Sequence, residues 1–144
     1  MPQLEFKNQL HYRPLLVETG GNKELTIPLP VIEVTFLQND LTASDFAVID
    51  SGSTFSLFSR GIADELEIAV LQGRLQKLTT LGGPILAYGH EVTIEIFPNF
   101  QYKTEILFSE YPIPRNLLGH HGFLNQMTVA LRSKFGLIYL TPED

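Results

Sequence analysis

Cysteine is absent from this chain of 144 residues. Its absence excludes a disulfide scaffold, a thiolate zinc site and catalysis by a thiol. Runs of basic residues are absent too, and the formal net charge is -6, which argues against broad electrostatic attraction to nucleic acid or anionic membranes. No apolar run is long enough for a signal peptide or a membrane span. These absences predict a cytoplasmic protein that binds neither nucleic acid nor membranes.

The length and the apolar content predict one domain over residues 1–144. Hydrophobic residues make up 44% of the chain, and 11 glycines and 9 prolines are an ordinary content. A chain of this size typically buries about 68–70% of its unfolded surface, which is enough for a core without a metal or a disulfide. Residues 1–20 are expected to form an N-terminal arm or an edge hairpin.

Most of the chain has the residue pattern of β-strands, rich in β-branched and aromatic residues and bounded by turns. The predicted strands are residues 31–37, 46–49, 90–97, 101–108, 127–131 and 135–140. The third and fourth are expected to form one hairpin, and the last two another. Short helices are predicted at residues 60–67, capped by Ser59, and at about residues 120–126, with Phe123 turned inward. The fold class is therefore mostly β with one or two short helices.

The first candidate for chemistry is the segment Asp50-Ser51-Gly52-Ser53-Thr54, which follows a short apolar strand. A carboxylate at the end of a buried strand is costly unless hydrogen bonds or a shared proton compensate. The hydroxyl side chains could supply such bonds, and the glycine lets the backbone approach the carboxylate. An aspartate that merely opens a turn after a strand is the alternative, and this segment alone leaves both open.

Two further motifs follow in order along the chain. Residues 78–88 contain Gly82-Gly83-Pro84, and Leu117-Leu118-Gly119 lies further downstream. Together with the Asp50 segment, these motifs resemble the retropepsin-like aspartic proteases over about residues 31–140. That family has an Asp-Ser/Thr-Gly loop, a flap hairpin and then a paired-aliphatic-Gly motif.

The resemblance implies a closed β-barrel with a flap hairpin, like the acid proteases. It implies that Asp50 is catalytic, that Ser51 to Thr54 form the active-site loop, and that Leu117, Leu118 and Gly119 lie behind it. The residues it assigns to the flap and to substrate binding are Thr80, Leu81, Gly82, Gly83 and Pro84. No cofactor and no metal are implied.

The chain has a single Asp-Ser-Gly motif, whereas the aspartic mechanism needs two carboxylates that share a proton. The resemblance therefore implies a homodimer in which Asp50 of each subunit meets across a two-fold axis. In such a dimer, Ser51 would bond to the partner loop and the flap would close over an extended peptide or protein substrate. The expected function is an aspartic-type endopeptidase.

The chain departs from the viral members of this family at two positions. Where many of them pair an acidic residue with an arginine, this sequence has Thr54 and His120, so both halves of the ion pair are replaced together. In this respect the chain resembles the bacterial single-domain members. Ser53 stands where many viral enzymes have alanine, and its hydroxyl is expected to donate to the Asp50 carboxylate.

Other functions remain as alternatives at this point. The chain could be a catalytically weak or inactive retropepsin-like module that dimerises and binds peptides. His120-His121 invites a metal site, but adjacent histidines diverge on a helix and no third ligand has a standard spacing. Removal of the N-terminal stretch by autoprocessing is a further hypothesis.

Overall fold

Twelve β-strands make up most of the described chain. The computed structural model describes residues 4–21, 24–80, 82–96 and 99–143. The strands are β1 (Asn8–His11), β2 (Arg13–Glu18), β3 (Glu24–Leu29), β4 (Val31–Gln38), β5 (Leu41–Ile49), β6 (Leu57–Phe58), β7 (Arg74–Thr80), β8 (Gly83–Glu95), β9 (Gln101–Ser109), β10 (Asn116–Leu118), β11 (Met127–Arg132) and β12 (Leu137–Pro142). The one α-helix among the described residues is α1 (Arg60–Glu65), and Val70–Gln72 and Ser133–Phe135 form single 3-10 turns.

The largest sheet curls into a ring that is nearly closed. Its seven strands lie in the order β4-β5-β10-β6-β9-β8-β7, and β4 also pairs with β8, so that Phe36 lies opposite Ile94. Closure of a sheet removes the unpaired edges that an open sheet would expose. Strand β7 extends from this ring as the outer strand of the β7–β8 hairpin.

Alternation along the strands turns apolar side chains into the ring, where they form the core. Phe36 packs edge-on against Phe58, with ring centroids 4.8 Å apart, and lies 6.0 Å from Phe108. Ile62 in α1 and Leu66, the residue directly after α1, are both buried in this core. The helix and the residue after it therefore close one side of the ring with two aliphatic side chains.

Both hairpins predicted from the sequence are confirmed. Strands β8 and β9 pair antiparallel, and so do β11 and β12. Strand β5 starts five residues earlier than the predicted strand at residues 46–49, because Asn39 and Asp40 adopt positive φ and form a tight turn directly after β4. Such turns suit the twist of paired strands.

The first predicted helix is confirmed as α1, with a different cap. Ser59 occupies the N-cap position, but its side chain makes no capping hydrogen bond. Its backbone N–H instead donates to Oδ1 of the buried Asn116, at 2.9 Å. The start of the helix is thus fixed by a residue of β10.

The prediction of a second helix at residues 120–126 is wrong. Consecutive turns occupy this segment, and the Asn125 N–H bonds to the His120 carbonyl five residues earlier. Gly122 has φ +101, which a right-handed helix does not allow. Phe123 is nevertheless fully buried, as expected.

The N-terminal region is divided between two small sheets. Strand β1 pairs with β12 in the three-stranded sheet β1-β12-β11, and β2 pairs with β3 in a separate hairpin. The predicted arm or edge hairpin at residues 1–20 thus covers β1 and half of the β2–β3 hairpin, and residues 1–3 lie outside the described part. No helix of the described chain is long and apolar enough to cross a membrane.

Candidate functional site

The Asp50 loop connects β5 to β6, two strands that do not pair with each other. Strand β10 lies between them, parallel to β5 and antiparallel to β6. The Asp50 N–H donates to the Leu118 carbonyl at 2.9 Å, so the loop begins at the point where β10 ends. The Leu117-Leu118-Gly119 motif therefore lies directly beside the loop that begins with Asp50.

The loop turns around the Asp50 carboxylate. Asp50 Oδ1 accepts a hydrogen bond from the Gly52 N–H at 2.9 Å, and the Asp50 carbonyl accepts one from the Ser53 N–H at 3.1 Å. A Cβ atom at Gly52 would lie 3.2 Å from Oδ1, so glycine suits this approach. Asp50 is half-buried, whereas Ser51 and Gly52 are exposed. The Ser51 hydroxyl makes no hydrogen bond to any described residue.

The segment after β10 holds the second half of the loop through backbone hydrogen bonds. His120 N–H donates to the Ser53 carbonyl at 2.9 Å, and His121 N–H donates to the Thr54 carbonyl at 2.8 Å. Gly119 is buried here, and a Cβ atom on it would overlap the carbonyl oxygens of Ser53 and Phe55. Two stretches of backbone therefore meet at a position that only glycine fits.

The Ser53 hydroxyl does not bond to the Asp50 carboxylate, contrary to the expectation from the sequence. It donates to the Phe55 carbonyl at 2.7 Å. A short-range bond of this kind to the backbone two residues ahead is common for serine in turns. Ser53 thus fixes the path of the loop after Asp50 rather than the carboxylate itself.

The predicted flap region forms the β7–β8 hairpin. Its last pair is Thr80 with Gly83, and the Thr80 hydroxyl donates to the Gly83 carbonyl at 2.6 Å. Gly83 has φ +107, a conformation that favours glycine. Gly82 and Pro84 are exposed at this end of the hairpin, and Leu81 lies outside the described residues.

A cleft of about 690 Å³ separates the Asp50 loop from the β7–β8 hairpin. Of the predicted site residues, those that line it are Asp50, Gly52, Ser53, Thr54, Thr80 and Leu117. Its lining does not include Ser51, Gly82, Gly83, Pro84, Leu118 or Gly119. Leu118 and Gly119 are buried behind the loop, and the others are exposed or half-buried at its turn or at the end of the hairpin.

The cleft has an apolar wall that the sequence did not reveal. Leu57, Ala87 and Leu107 form a small buried cluster, against which the partly buried residues Phe55, Leu78, Ile85 and Ile113 pack. Leu57, Phe55 and Leu78 also line the cleft. Apart from Asp50, the one charged residue in this lining is Lys77.

Charged residues link the base of the hairpin to the neighbouring strand. Arg74 on β7 donates from Nε and Nη2 to the two carboxylate oxygens of Glu105 on β9, at 3.0 and 2.7 Å. His121 Nε2 lies 3.6 Å from Glu105 Oε1. The hydrogen bond from Arg74 lowers the pKa of Glu105, although partial burial opposes this effect.

The rings of the two adjacent histidines have different partners. His120 Nε2 donates to the Ser51 carbonyl at 2.7 Å, whereas the His121 ring faces Glu105 and stacks edge-on against Phe55. Within the described ranges, no three His, Cys, Asp or Glu side chains are grouped as metal ligands would be. In the sequence, His120 stood out as part of a histidine pair and as a departure from a viral motif, and its position directly after Gly119 was the one available indication of this contact.

A second groove, of about 760 Å³, lies beside β4 and the β1–β2 connection and shares no lining residue with the Asp50 cleft. Its titratable lining residues are His11, Tyr12, Arg13, Glu33 and Glu95. Tyr12 and Glu95 are half-buried and the other three are exposed, and none of these residues belongs to the three motifs found in the sequence. The cleft at Asp50 remains the better candidate for the functional site.

Among protein-family models and curated proteins, none matches this chain.

Proposed function

We propose that this protein is one subunit of a homodimeric aspartic endopeptidase with a retropepsin-like barrel. The observation that supports this most strongly is the half-buried Asp50 carboxylate, which faces a cleft bounded on its far side by the β7–β8 hairpin. The cleft has room for an extended peptide, and its apolar wall suits apolar side chains of a substrate. Each of the three segments that resemble the family, residues 50–54, 78–88 and 117–119, contributes at least one residue to the lining of this cleft.

A single carboxylate is insufficient for the proposed reaction. Asp50 is the one acidic residue in the described lining of the cleft. The second carboxylate is therefore Asp50 of another copy of the chain, placed by a two-fold axis beside the exposed turn at Ser51 and Gly52. Two carboxyl groups at close range share one proton, and they titrate as a pair.

The reaction then follows from the shared proton. The ionised carboxylate takes a proton from water as the water oxygen attacks the peptide carbonyl, and the protonated carboxyl donates its proton to the carbonyl oxygen. The carboxyl that took the proton from water then gives it to the amide nitrogen as the C–N bond breaks, and the other carboxylate takes a proton from the diol as the new carboxyl group forms. The Gly52 N–H, which bonds to Oδ1, keeps the carboxylate oriented.

The β7–β8 hairpin is the proposed flap. Among the described strands, its outer strand β7 pairs only with β8, so its other edge can add an extended peptide as a further strand. The residues at its end, Thr80 to Pro84, would close over the bound segment, as lids do in other enzymes. The backbone freedom of Gly82 and Gly83 is consistent with such a motion.

A peptide-binding module without catalytic activity is the second candidate function. It is favoured by the free edge of β7 and the apolar wall of the cleft, because these features bind an extended chain whether or not a bond is cleaved. This module would also dimerise, so binding and dimerisation alone do not separate the two functions.

The test is cleavage of an unfolded protein and a peptide library between about pH 3 and pH 8, the range in which carboxylate pairs titrate. The expected result is cleavage that Asp50→Asn reduces by about 10²- to 10⁴-fold, with the dimer retained in sedimentation. Asp64→Asn is the matched control, because Asp64 lies on the exposed face of α1 outside the cleft. Peptide binding by the wild type without cleavage at any pH would identify the second candidate, and a strict monomer would exclude the mechanism.

A further inference from the structure

One peptide unit in the Asp50 loop makes a hydrogen bond through both its carbonyl and its N–H group. The carbonyl of Ser51 accepts a hydrogen bond from His120 Nε2 at 2.7 Å, and the N–H of Gly52 donates to Asp50 Oδ1 at 2.9 Å. This carbonyl and this N–H belong to the same planar unit, in which they point in opposite directions. Any rotation that breaks the first bond therefore also turns the N–H away from the carboxylate.

The backbone of His120 is itself fixed on both sides. Its N–H donates to the Ser53 carbonyl at 2.9 Å, and its carbonyl accepts from the Asn125 N–H at 2.9 Å. Gly119, directly before it, is buried against the loop. The imidazole thus extends from a backbone held by hydrogen bonds to the turn at Ser51 and Gly52, where both residues are exposed.

We infer that His120 is a positioning residue that orients the Ser51–Gly52 peptide so that its N–H stays directed at the Asp50 carboxylate. This role rests on the proposed function, because it matters for catalysis only if Asp50 reacts. A hydrogen bond to the carbonyl also polarises the peptide unit and strengthens its N–H as a donor.

The chemistry of the bond sets a condition on the imidazole. A carbonyl oxygen only accepts, so Nε2 must bear a hydrogen. The neutral ring must therefore adopt the tautomer protonated at Nε2, and the doubly protonated ring donates equally well. This condition can be measured in the wild-type protein, without a variant and without a substrate.

The first experiment is ¹H–¹⁵N NMR of the wild type at about pH 9, where free imidazole is neutral. His120 is expected to show the Nε2–H tautomer. A neutral ring protonated at Nδ1 would overturn the inference, because it has no donor for the Ser51 carbonyl. Since this measurement needs no substitution, it holds even if a variant fails to fold.

The second experiment compares His120→Leu with His120→Gln, because glutamine keeps an N–H donor on a side chain of similar reach. In His120→Leu, hydrogen exchange of the Gly52 amide is expected to be about tenfold faster, the effect of losing one hydrogen bond. His120→Gln should remain close to the wild type. His121→Leu is the matched control, since His121 contacts Phe55 and Glu105 rather than the Ser51 carbonyl.

Kinetics then separate this inference from the proposed function. If the protein cleaves peptides, His120→Leu should lower kcat about tenfold with little change in KM, and His120→Gln should restore it. An unchanged kcat or an unchanged Gly52 exchange rate in His120→Leu would overturn the positioning role while the protease assignment stands. If the wild type cleaves nothing, the protease assignment fails, and His120 then has no catalytic role even if the exchange result shows that it orients the peptide.

Discussion

At the scale of single residues, the site depends on positions where backbone meets backbone. Gly119 is the clearest example, because its α-carbon faces the carbonyl oxygens of Ser53 and Phe55 with no room for a side chain. Both carbonyls belong to the segment that follows Asp50. A methyl group at position 119 would therefore push the Asp50 loop away from β10.

Gly119→Ala is expected to lower the free energy of unfolding by about 1–3 kcal/mol, the usual effect of overpacking a close contact. Urea denaturation measures this change. Gly61→Ala is a matched control, because the nearest atom to a Cβ at Gly61 is Ser59 Oγ at 3.7 Å, an ordinary contact. Since Gly61 lies within α1, alanine there should be neutral or stabilising. Equal effects of the two substitutions would contradict the close approach at Gly119.

Asn116 also holds neighbouring segments together, but through its side chain. Its role could not be singled out from the sequence. Its buried amide accepts from the Ser59 N–H and donates to Asp45 Oδ2 and to the Phe46 carbonyl, each at 2.9 Å. One side chain therefore joins β5, β10 and the start of α1. A lone asparagine two residues before the Leu118-Gly119 pair has no sequence pattern that would reveal three distant partners.

At the scale of elements, the β7–β8 hairpin is anchored at its base by an ion pair. Arg74 and Glu105 join β7 to β9 by a bidentate ion pair, the geometry that gives Arg–carboxylate bonds their strength. Gly89 on β8 lies between them, where a Cβ atom would be 2.6 Å from the Glu105 side chain. The absence of a side chain at position 89 lets the ion pair cross over β8.

This anchor predicts a pH-dependent contribution to stability. The bond from Arg74 lowers the pKa of Glu105 in the folded protein, so the ionised carboxylate stabilises the fold above the ordinary glutamate pKa. That contribution is lost as the pH falls through the lowered pKa. Glu105→Gln is therefore expected to lower the urea midpoint at pH 7 and to have a much smaller effect near pH 3.

The control for this prediction is Glu33→Gln, because Glu33 is exposed on β4 and forms no ion pair with any described residue. The effect of Glu105→Gln should be modest, since solvent screens the pair, which is partly exposed. An effect of the same size at both pH values would show that the ion pair does not stabilise the hairpin.

At the scale of the whole molecule, the proposed site belongs to two chains. Each copy supplies one Asp50, so a dimer with one Asp50→Asn subunit should be inactive. When subunits exchange freely, mixing equal amounts of wild type and Asp50→Asn is expected to leave about one quarter of the activity of the same total concentration of wild type. Independent chains would leave about one half. Mixing with Asp64→Asn is the control and should not lower the activity.

Local patterns predicted much of the fold. Alternation and β-branched runs located β4, β8, β9, β11 and β12 and both of their hairpins, because each depends on neighbours in sequence. The same patterns failed at residues 120–126, where Gly122 and long-range hydrogen bonds determine the turns. The Asp50 segment and the β7–β8 hairpin lie on opposite sides of one cleft, and this arrangement also depends on tertiary structure. The hydrogen bonds of Ser53, Asn116 and His120 depend on it too, because no local pattern specifies their partners.

The insertion of β10 between β5 and β6 has a consequence for synthesis. Asp50 and its loop are held by a segment that leaves the ribosome much later, since His120 and Ser51 are 69 residues apart in the chain. Contacts of such long range form late, because a long loop must close before they stabilise anything. A nascent chain therefore exposes Asp50 on an unsupported turn until β10 arrives. The Asp50 loop therefore reaches its folded geometry only after residues 116–121 have been synthesised.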